Sequence, residues 1–260
     1  MSDVTLALSY VIEFTTPFHI GSGYGLAGFV DATAIRRGDG NIYVPGASVK
    51  GRARYHLTGL LGQRWDHDLT PCLPRAAHQG EALAICTICN LFGSTQVPSL
   101  LFFGDATLTA ETDLADQVAR AAGGRGGLDE HERAALRGRS QVERRSQTSI
   151  SRRRRVAREE LLFVTEIGQA GLRFSGLVEG VLPDRGRTVR LADGTQVPKD
   201  LGWLMAALRS IEQLGGRKSR GLGHCTVTVG EVKVGQPDSE LTRLSQPAEV
   251  LQALRQEVHR

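Results

Sequence analysis

Three features are scarce in this chain of 260 residues, and each scarcity excludes a class of protein. No apolar run approaches the roughly 20 residues that a membrane-spanning helix requires, so an integral membrane protein is not expected. The opening stretch, MSDVTLALSY, lacks the basic head and continuous apolar run of a signal peptide, which predicts a cytoplasmic location. Four cysteines are too few for a secreted fold held together by disulfides.

Acidic residues are absent from one arginine-rich segment. Residues 144–158 contain seven arginines and no aspartate or glutamate, and without these seven the other 25 basic residues face 28 acidic ones. The basic surplus is therefore concentrated in one segment, which is typical of a polyanion-binding site. Because this segment also lacks aromatic residues, we expect it to neutralise phosphates rather than stack on bases. A solvated charge run is the alternative.

Hydrophobic periodicity predicts an alternation of strands and helices. Strands are predicted over residues 4–14, 29–37, 160–167 and 172–181, from residue 99, and in the final alternating segment after residue 224. Helices are predicted after Ser48 as N-cap, over 113–122 and over 200–214. Residues 128–158 are interpreted as a projecting arm that is partly a hairpin, and Asp193-Gly194 as a turn. This order predicts an α+β fold with a ferredoxin-like (RRM-like) β-α-β-β-α-β core and long insertions.

Four fragments occur in order along the chain: HIGSGYGLAGFVDATAI from His19, VPGASVKGRAR from Val44, TSISRRRRVAREELLFVTEI from Thr148 and LGGRKSRGLG from Leu214. Together they resemble the successive signatures of the RAMP superfamily, and in particular its repeated backbone subunit in type III CRISPR effector complexes, over about residues 4–230. The resemblance implies one domain over 1–260. Within it we expect an insertion over 62–98, a thumb-like Arg-rich projection over 123–158 and a C-terminal extension over 235–260.

The resemblance also implies a function. Copies of such a subunit bind a guide RNA (crRNA), stack with other RAMP subunits in a filament, and cut complementary target RNA. Asp31 lies at the position of the aspartate that cutting members use, and a loop carboxylate can accept a 2′-hydroxyl proton or position a divalent cation such as Mg²⁺. The expected activity is that of an endoribonuclease that leaves a 2′,3′-cyclic phosphate. The alternatives are a non-catalytic guide-binding scaffold and a guide-processing endoribonuclease that relies on a histidine.

The residues expected to contact RNA come from all four fragments. A helix start offers free N–H groups and a favourable dipole to phosphate, and a glycine-rich loop lets its basic side chains approach RNA closely. A nucleotide-cofactor site is excluded, because no G-x-x-x-x-G-K-[ST] motif occurs and a strand follows the glycine-rich loop. The predicted contacts are His19, Gly46, Ser48, Lys50, Arg54, Arg152, Arg217, Lys218, Ser219 and Arg220.

A cysteine cluster lies in the insertion, where periodicity vanishes. Cys86 and Cys89 form a C-x-x-C pair, which is half of a structural zinc site, and Cys72 with His78, or alternatively His67, would complete it. A metal could stabilise a segment that has too few apolar residues for a core of its own. Buried thiols without metal are the alternative.

Overall fold

A computed structural model describes residues 3–62, 86–94, 98–109, 141–183, 187–237 and 239–258. The fold is α+β with antiparallel sheets, as predicted. The helices are α1 (Gly46–Gly62), α2 (Thr87–Phe92), α3 (Lys199–Arg209) and α4 (Pro247–Val258). The strands are β1 (Val4–Phe14), β2 (Tyr43–Val44), β3 (Leu101–Phe103), β4 (Ala106–Leu108), β5 (Val142–Ile150), β6 (Ala157–Gly168), β7 (Arg173–Leu182), β8 (Thr188–Arg190), β9 (Gln196–Pro198), β10 (Cys225–Gly235) and β11 (Thr242–Arg243).

The main sheet is built around β1, which is confirmed over the predicted residues. Its strand order is β11-β10-β1-β7-β4-β2, with β3 also paired to β7, and every pairing is antiparallel. Alternate side chains of β1 enter the core, because successive residues of a strand point to opposite faces. The buried set is Leu6, Leu8, Tyr10, Ile12 and Phe14.

Helices α1, α3 and α4 bury their apolar side chains in the same core as β1. In α3 these include Leu201, Leu204 and Leu208, each worth about 1.5–3 kcal/mol when fully buried. Leu254 of α4 packs against Gly202, where an added Cβ would lie 3.2 Å from the leucine side chain. Of the described helices, none has the length and hydrophobicity to cross a bilayer.

A second sheet is the hairpin of β5 and β6, which contains the arginine-rich segment. Residues 142–148 pair in register with residues 162–168, so this part of the predicted arm is a hairpin. The predicted turn at Asp193-Gly194 is also confirmed, since it joins the antiparallel pair β8 and β9. The predicted helix over 113–122 lies outside the described residues.

Two predictions of the extent of a strand or helix are wrong. Residues 29–37 do not form a continuous strand, because isolated bridges join Val30, Ala32, Ala34 and Arg36 to four different partners. Helix α3 ends at Arg209 rather than at residue 214. Leu214 is nevertheless buried. Its N–H donates to the carbonyl of Gly223 (2.9 Å) and not to a carbonyl of the preceding helical turn.

Two glycines of α1 provide a stability test with opposite signs. A Cβ at Gly46 would collide with the backbone carbonyl of Phe103, whereas nothing lies within 4 Å of a Cβ at Gly59. We expect Gly46→Ala to lower the free energy of unfolding by about 1–3 kcal/mol. The control variant Gly59→Ala should raise it by up to about 1 kcal/mol, because alanine is the better helix former. Chemical denaturation measures both, and equal signs would contradict the assigned packing.

Candidate functional site

The loop that precedes Asp31 folds back on itself. The N–H of Ser22 donates to the carbonyl of Thr33 (3.0 Å), and the N–H of Thr33 donates to the carbonyl of Tyr24 (3.0 Å). Gly25 lies against the backbone of residues 30 and 31, where an added Cβ would be 2.8 Å from two carbonyl oxygens. Asp31 therefore projects from a loop whose shape is fixed by backbone contacts.

Asp31 is attached to strand β6 at one residue, Val164. The backbone N–H of Asp31 donates to the carbonyl of Val164 (2.9 Å), and the Oδ2 atom of Asp31 accepts the N–H of Val164 (2.7 Å). A hydrogen bond to an ionised carboxylate is among the stronger kinds. The residue is exposed, and its Oδ1 atom accepts no hydrogen bond from the described part of the chain. Asp31 thus presents one carboxylate oxygen to solvent beside the hairpin.

Glu166 holds the segment that follows Asp31. This buried side chain accepts hydrogen bonds at Oε2 from the N–H of Ala34 (3.1 Å) and from Nη2 of Arg36 (3.2 Å). Its backbone N–H also donates to the carbonyl of Ala32 (2.9 Å). Because burial of an unpaired carboxylate is costly, Glu166 and its two donors stabilise one arrangement of this segment on β6.

His19 lies at the junction of β6 and the glycine-rich loop. Its Nδ1 donates to the carbonyl of Glu166 (2.7 Å), and its own carbonyl accepts the N–H of Gly216 (2.7 Å). A Cβ at Gly215 would be 2.5 Å from the same carbonyl oxygen. The ring is buried, so the structure gives His19 a packing role, and its contact with RNA stays a prediction.

The glycine-rich loop docks on the hairpin through two arginines. Arg217 and Arg220 each donate from Nη1 to the Oε1 atom of Gln147 on β5, both over 2.7 Å. The guanidinium of Arg217 also lies 5.4 Å from the ring centroid of Phe163 on β6. Lys218–Arg220 forms one 3₁₀ turn directly after Arg217, and Ser219 within it is exposed.

The start of α1 differs from the predicted phosphate site. The helix begins at Gly46, so Ser48 lies inside it and is not the N-cap. The N–H of Gly46 donates to Oδ1 of Asp105 (2.9 Å), and the N–H of Ser48 donates to the carbonyl of Pro45 (2.9 Å). Both amides that we expected to bind phosphate are therefore already hydrogen-bonded, and Asp105 supplies the negative charge that a helix N-terminus favours.

The basic side chains of α1 spread over two sides of the helix. Lys50 lies 5.6 Å from the ring centroid of Phe103, and burial lowers its pKa, with a smaller contribution from the charge of Arg54. Arg54 donates to the carbonyl of Gly93 (2.8 Å). Arg52 lies close enough to Lys218 to lower the pKa of that amine, although burial is the larger cause. Of these three side chains, Arg52 is thus the one that lies beside the glycine-rich loop.

A family model of the RAMP superfamily matches residues 11–226. The chain belongs to the RAMP superfamily. Two similar solved structures are the Type III-B Cmr-beta in its apo state and the Type III-B Cmr-beta bound to cognate target RNA. The first is 15% identical with a TM-score of 0.56, and the comparison covers 86% of this chain and 96% of that chain. The second is 14% identical with a TM-score of 0.55 and the same coverage. These likenesses establish the fold. No curated protein matches the chain.

The hairpin of this RAMP chain ends in an exposed turn of consecutive arginines. Ser151 shapes the turn, because its carbonyl accepts the N–H of Arg155 (2.7 Å) and its hydroxyl accepts the N–H of Arg154 (3.3 Å). Arg155 adopts a left-handed backbone conformation with φ 56°. Of the seven arginines over 144–158, only Arg145 forms an ion pair within the described residues, with Glu143 (2.6 Å). The turn, which includes Arg152, therefore presents positive charge that pairs with no acidic side chain among the described residues.

A second histidine, His56, lies in helix α1. It lines a groove of about 1090 Å³ together with Arg54, Tyr55, Arg209 and Glu212. Burial lowers the pKa of His56, and the charge of Arg52 lowers it further. Its Nε2 atom is buried and makes no hydrogen bond within the part of the chain that the structure describes.

The cysteine pair lies at the N-terminus of α2. Cys86 is the N-cap residue, and its Sγ accepts the N–H of Cys89 (3.5 Å), which is buried. Buried Asp200 of α3 anchors this helix by accepting the Nδ2 of Asn90 (2.5 Å). The other predicted ligands, Cys72 and His78 or His67, lie outside the described residues. The described ranges contain no group of three or more potential metal ligands.

Sequence reasoning missed four residues that organise this RAMP site: Asp105, Gln147, Phe163 and Glu166. Each acts on a segment that is distant in sequence, so neither spacing nor periodicity could reveal its partner. The only available signal was the position of Gln147, Phe163 and Glu166 inside or beside the fragment that begins at Thr148.

Proposed function

We propose that this chain is a guide-RNA-binding backbone subunit of a type III CRISPR effector complex that cuts complementary target RNA. Its membership of the RAMP superfamily and its fold likeness to Cmr-beta structures, one of them bound to target RNA, support the proposal. The observation that carries it is the contact of the glycine-rich loop with the hairpin. Through Gln147, this contact joins Arg217 and Arg220 to a hairpin with six arginines that have no described acidic partner.

The scaffold that we infer is a ferredoxin-like core. In chain order β1, α1, the β3–β4 segment, β7, α3 and β10 follow the β-α-β-β-α-β plan. In the sheet, β1 and β7 are the central pair, with β10 on one side and β4 on the other. The β5–β6 hairpin is inserted between β4 and β7, which is where a projecting thumb would leave such a core.

Asp31 is the residue that we assign to catalysis. The 2′-oxygen of the target RNA attacks the neighbouring phosphorus, the P–O5′ bond breaks, and the 2′,3′-cyclic phosphate and a 5′-hydroxyl result. The unengaged Oδ1 of Asp31 is suited to receive the 2′-hydroxyl proton, while the Val164 N–H holds Oδ2. Water returns a proton to the leaving 5′-oxygen.

An exposed carboxylate with one engaged oxygen is also a suitable ligand for a hard divalent cation. In this alternative to proton acceptance, the Asp31 carboxylate would hold a cation such as Mg²⁺, which would supply Lewis-acid stabilisation at the scissile phosphate. Proton acceptance is typically worth about 10²–10⁴-fold, so the larger share must come from bending the target strand into line. The hairpin beside Asp31 is the element that we assign to this bending.

Replacement of Asp31 tests the catalytic assignment. Asp31→Asn keeps an oxygen for the Val164 N–H but removes the charge, so we expect target cleavage to fall at least about 100-fold while RNA binding is retained. The control is Asp39→Asn in the next exposed turn, which should cut like the wild type. Cleavage by Asp31→Asn at the wild-type rate would refute this assignment. If neither the wild type nor the variant cuts target, the non-catalytic scaffold is the correct function.

The salt dependence of binding tests how the chain grips RNA. If five to seven hairpin arginines contact phosphates, the slope of log K against log salt for single-stranded RNA should be about −3.5 to −5. Replacement of Arg152, Arg153, Arg154 and Arg155 by serine should make the slope shallower by about 2.8. Arg243→Ser on β11 is the control, because that side chain pairs with Glu231 at the far edge of the sheet. An unchanged slope in the fourfold variant would exclude the hairpin from the interface.

We also propose that Cys72, His78, Cys86 and Cys89 hold a structural Zn²⁺ ion. A C-x-x-C pair whose first sulfur caps a short helix is suited to zinc, and the anchoring of α2 by Asp200 would attach such a site to the core. A closed set of four protein ligands leaves no open position, so the ion would stabilise rather than catalyse.

Metal analysis of the purified protein tests the zinc proposal. We expect one Zn²⁺ per chain, and Cys86→Ser should lower both the zinc content and the unfolding temperature. The control for zinc content is Cys225→Ser, which should bind as much zinc as the wild type. Burial raises the pKa of the Cys225 thiol to about 12 and keeps it protonated, which makes it a poor ligand. Substoichiometric zinc in the wild type, or unchanged stability of Cys86→Ser, would refute the site.

Assembly follows from the proposed function. Other RAMP subunits would stack with this chain along one guide RNA, and the complementary target would pair with the guide. Specificity would then come from base pairing, because arginine contacts to phosphate are tolerant of sequence.

A further inference from the structure

Gln147 joins two parts of the molecule that are far apart in sequence. It is a neutral residue in the middle of an arginine-rich strand, and its Oε1 atom accepts both the Arg217 and the Arg220 guanidinium over 2.7 Å. The side chain is partly buried, unlike its exposed neighbours Ser146 and Thr148. One amide oxygen therefore fixes the position of two cationic groups of the glycine-rich loop.

The cross-strand neighbour of Gln147 completes the contact. Phe163 pairs with Gln147 in the β5–β6 register, and its ring lies beneath the guanidinium of Arg217. Arg217 itself has a left-handed backbone conformation with φ 58°, which a non-glycine residue keeps only where its surroundings impose it. Gln147 and Phe163 are the described contacts of the Arg217 side chain, and they impose its position.

The charge of this cluster is unbalanced. Neither Arg217 nor Arg220 forms an ion pair with a described acidic residue, and the charge of Arg220 contributes, after burial, to a lowered pKa of Arg217. Two like charges are thus held together on an uncharged acceptor. A glutamate at this position would pair the guanidiniums more strongly, but it would also remove the positive charge that attracts a phosphate.

We propose that Gln147 is a positioning residue that holds Arg217 and Arg220 together as one phosphate-binding pair, so that the glycine-rich loop and the hairpin bind RNA as a unit. The inference rests on the proposed function, because the ligand is the phosphate backbone of RNA. Gln147 places the two charges before RNA arrives, which removes the cost of ordering two long side chains on binding.

Three variants of the full chain separate this role from a merely structural one. Gln147→Met keeps the size of the side chain but accepts no strong hydrogen bond, so the affinity for a labelled single-stranded RNA should fall about 3- to 10-fold with the salt slope unchanged. Gln147→Glu should weaken binding and also make the salt slope shallower by about 0.7. Thr148→Val, next to it on β5, is the matched control and should bind like the wild type.

The coupling is measured by combining Gln147→Met with Arg217→Ala and Arg220→Ala. In that background we expect Gln147→Met to cause no further loss of affinity, since the groups that it positions are gone. An equal loss with and without the two arginines, or wild-type affinity of Gln147→Met, would overturn the inference while the proposed function stands. A wild-type chain that binds no RNA at low salt would instead overturn the proposed function and this inference together.

Discussion

Strand β6 makes hydrogen bonds on both of its edges, and the candidate site depends on this arrangement. One edge pairs with β5, and the other accepts and donates bonds to residues 31–34. Val164 holds Asp31, and Glu166 holds Ala34, Arg36 and the ring of His19. A single strand therefore sets the position of the exposed carboxylate relative to the hairpin that carries the arginines. Loss of its regular backbone would separate the two halves of the site at once.

The position of the glycine-rich loop also depends on β6, through His19, which bonds both to Glu166 of β6 and to Gly216 of the loop. The backbone of the glycine-rich loop passes close to His19 on its way to the hairpin. A side chain at Gly215 would have no space there, because its Cβ would collide with the carbonyl oxygen of His19. Gln147 then fixes the two arginines of the loop on the hairpin surface. Three segments that are distant in sequence become one cationic surface with the exposed carboxylate of Asp31 beside it. Such a surface suits a ligand that is a continuous polyanion and not a small molecule.

Sequence reasoning predicted the fold correctly where a periodic pattern of apolar residues has a single structural cause. The alternation over Val4–Phe14 reflects burial of one face of the strand, and it predicted both ends of β1 correctly. Residues 29–37 also alternate, but their pattern comes from contacts with several partners, so the prediction of a strand there was wrong. Helix α3 was predicted too long for a related reason, since Leu214 is buried by a loop contact that mimics helical spacing. The partners of Gln147 and Glu166 were unpredictable, because each is chosen by the tertiary structure. Asp31, Arg217 and Arg220 were predicted as site residues through the resemblance of their fragments to a family, and those roles stay predictions.

The most direct test of the account is photo-crosslinking of RNA to the full chain, followed by mass spectrometry of the peptides that carry RNA. The account predicts linked peptides from both the β6 strand around Phe163 and the glycine-rich loop over 214–223, since these two segments meet. It also predicts that both links disappear together at high salt, because the same phosphates bind both segments. RNA-linked peptides that exclude both segments, or none at all at low salt, would contradict it.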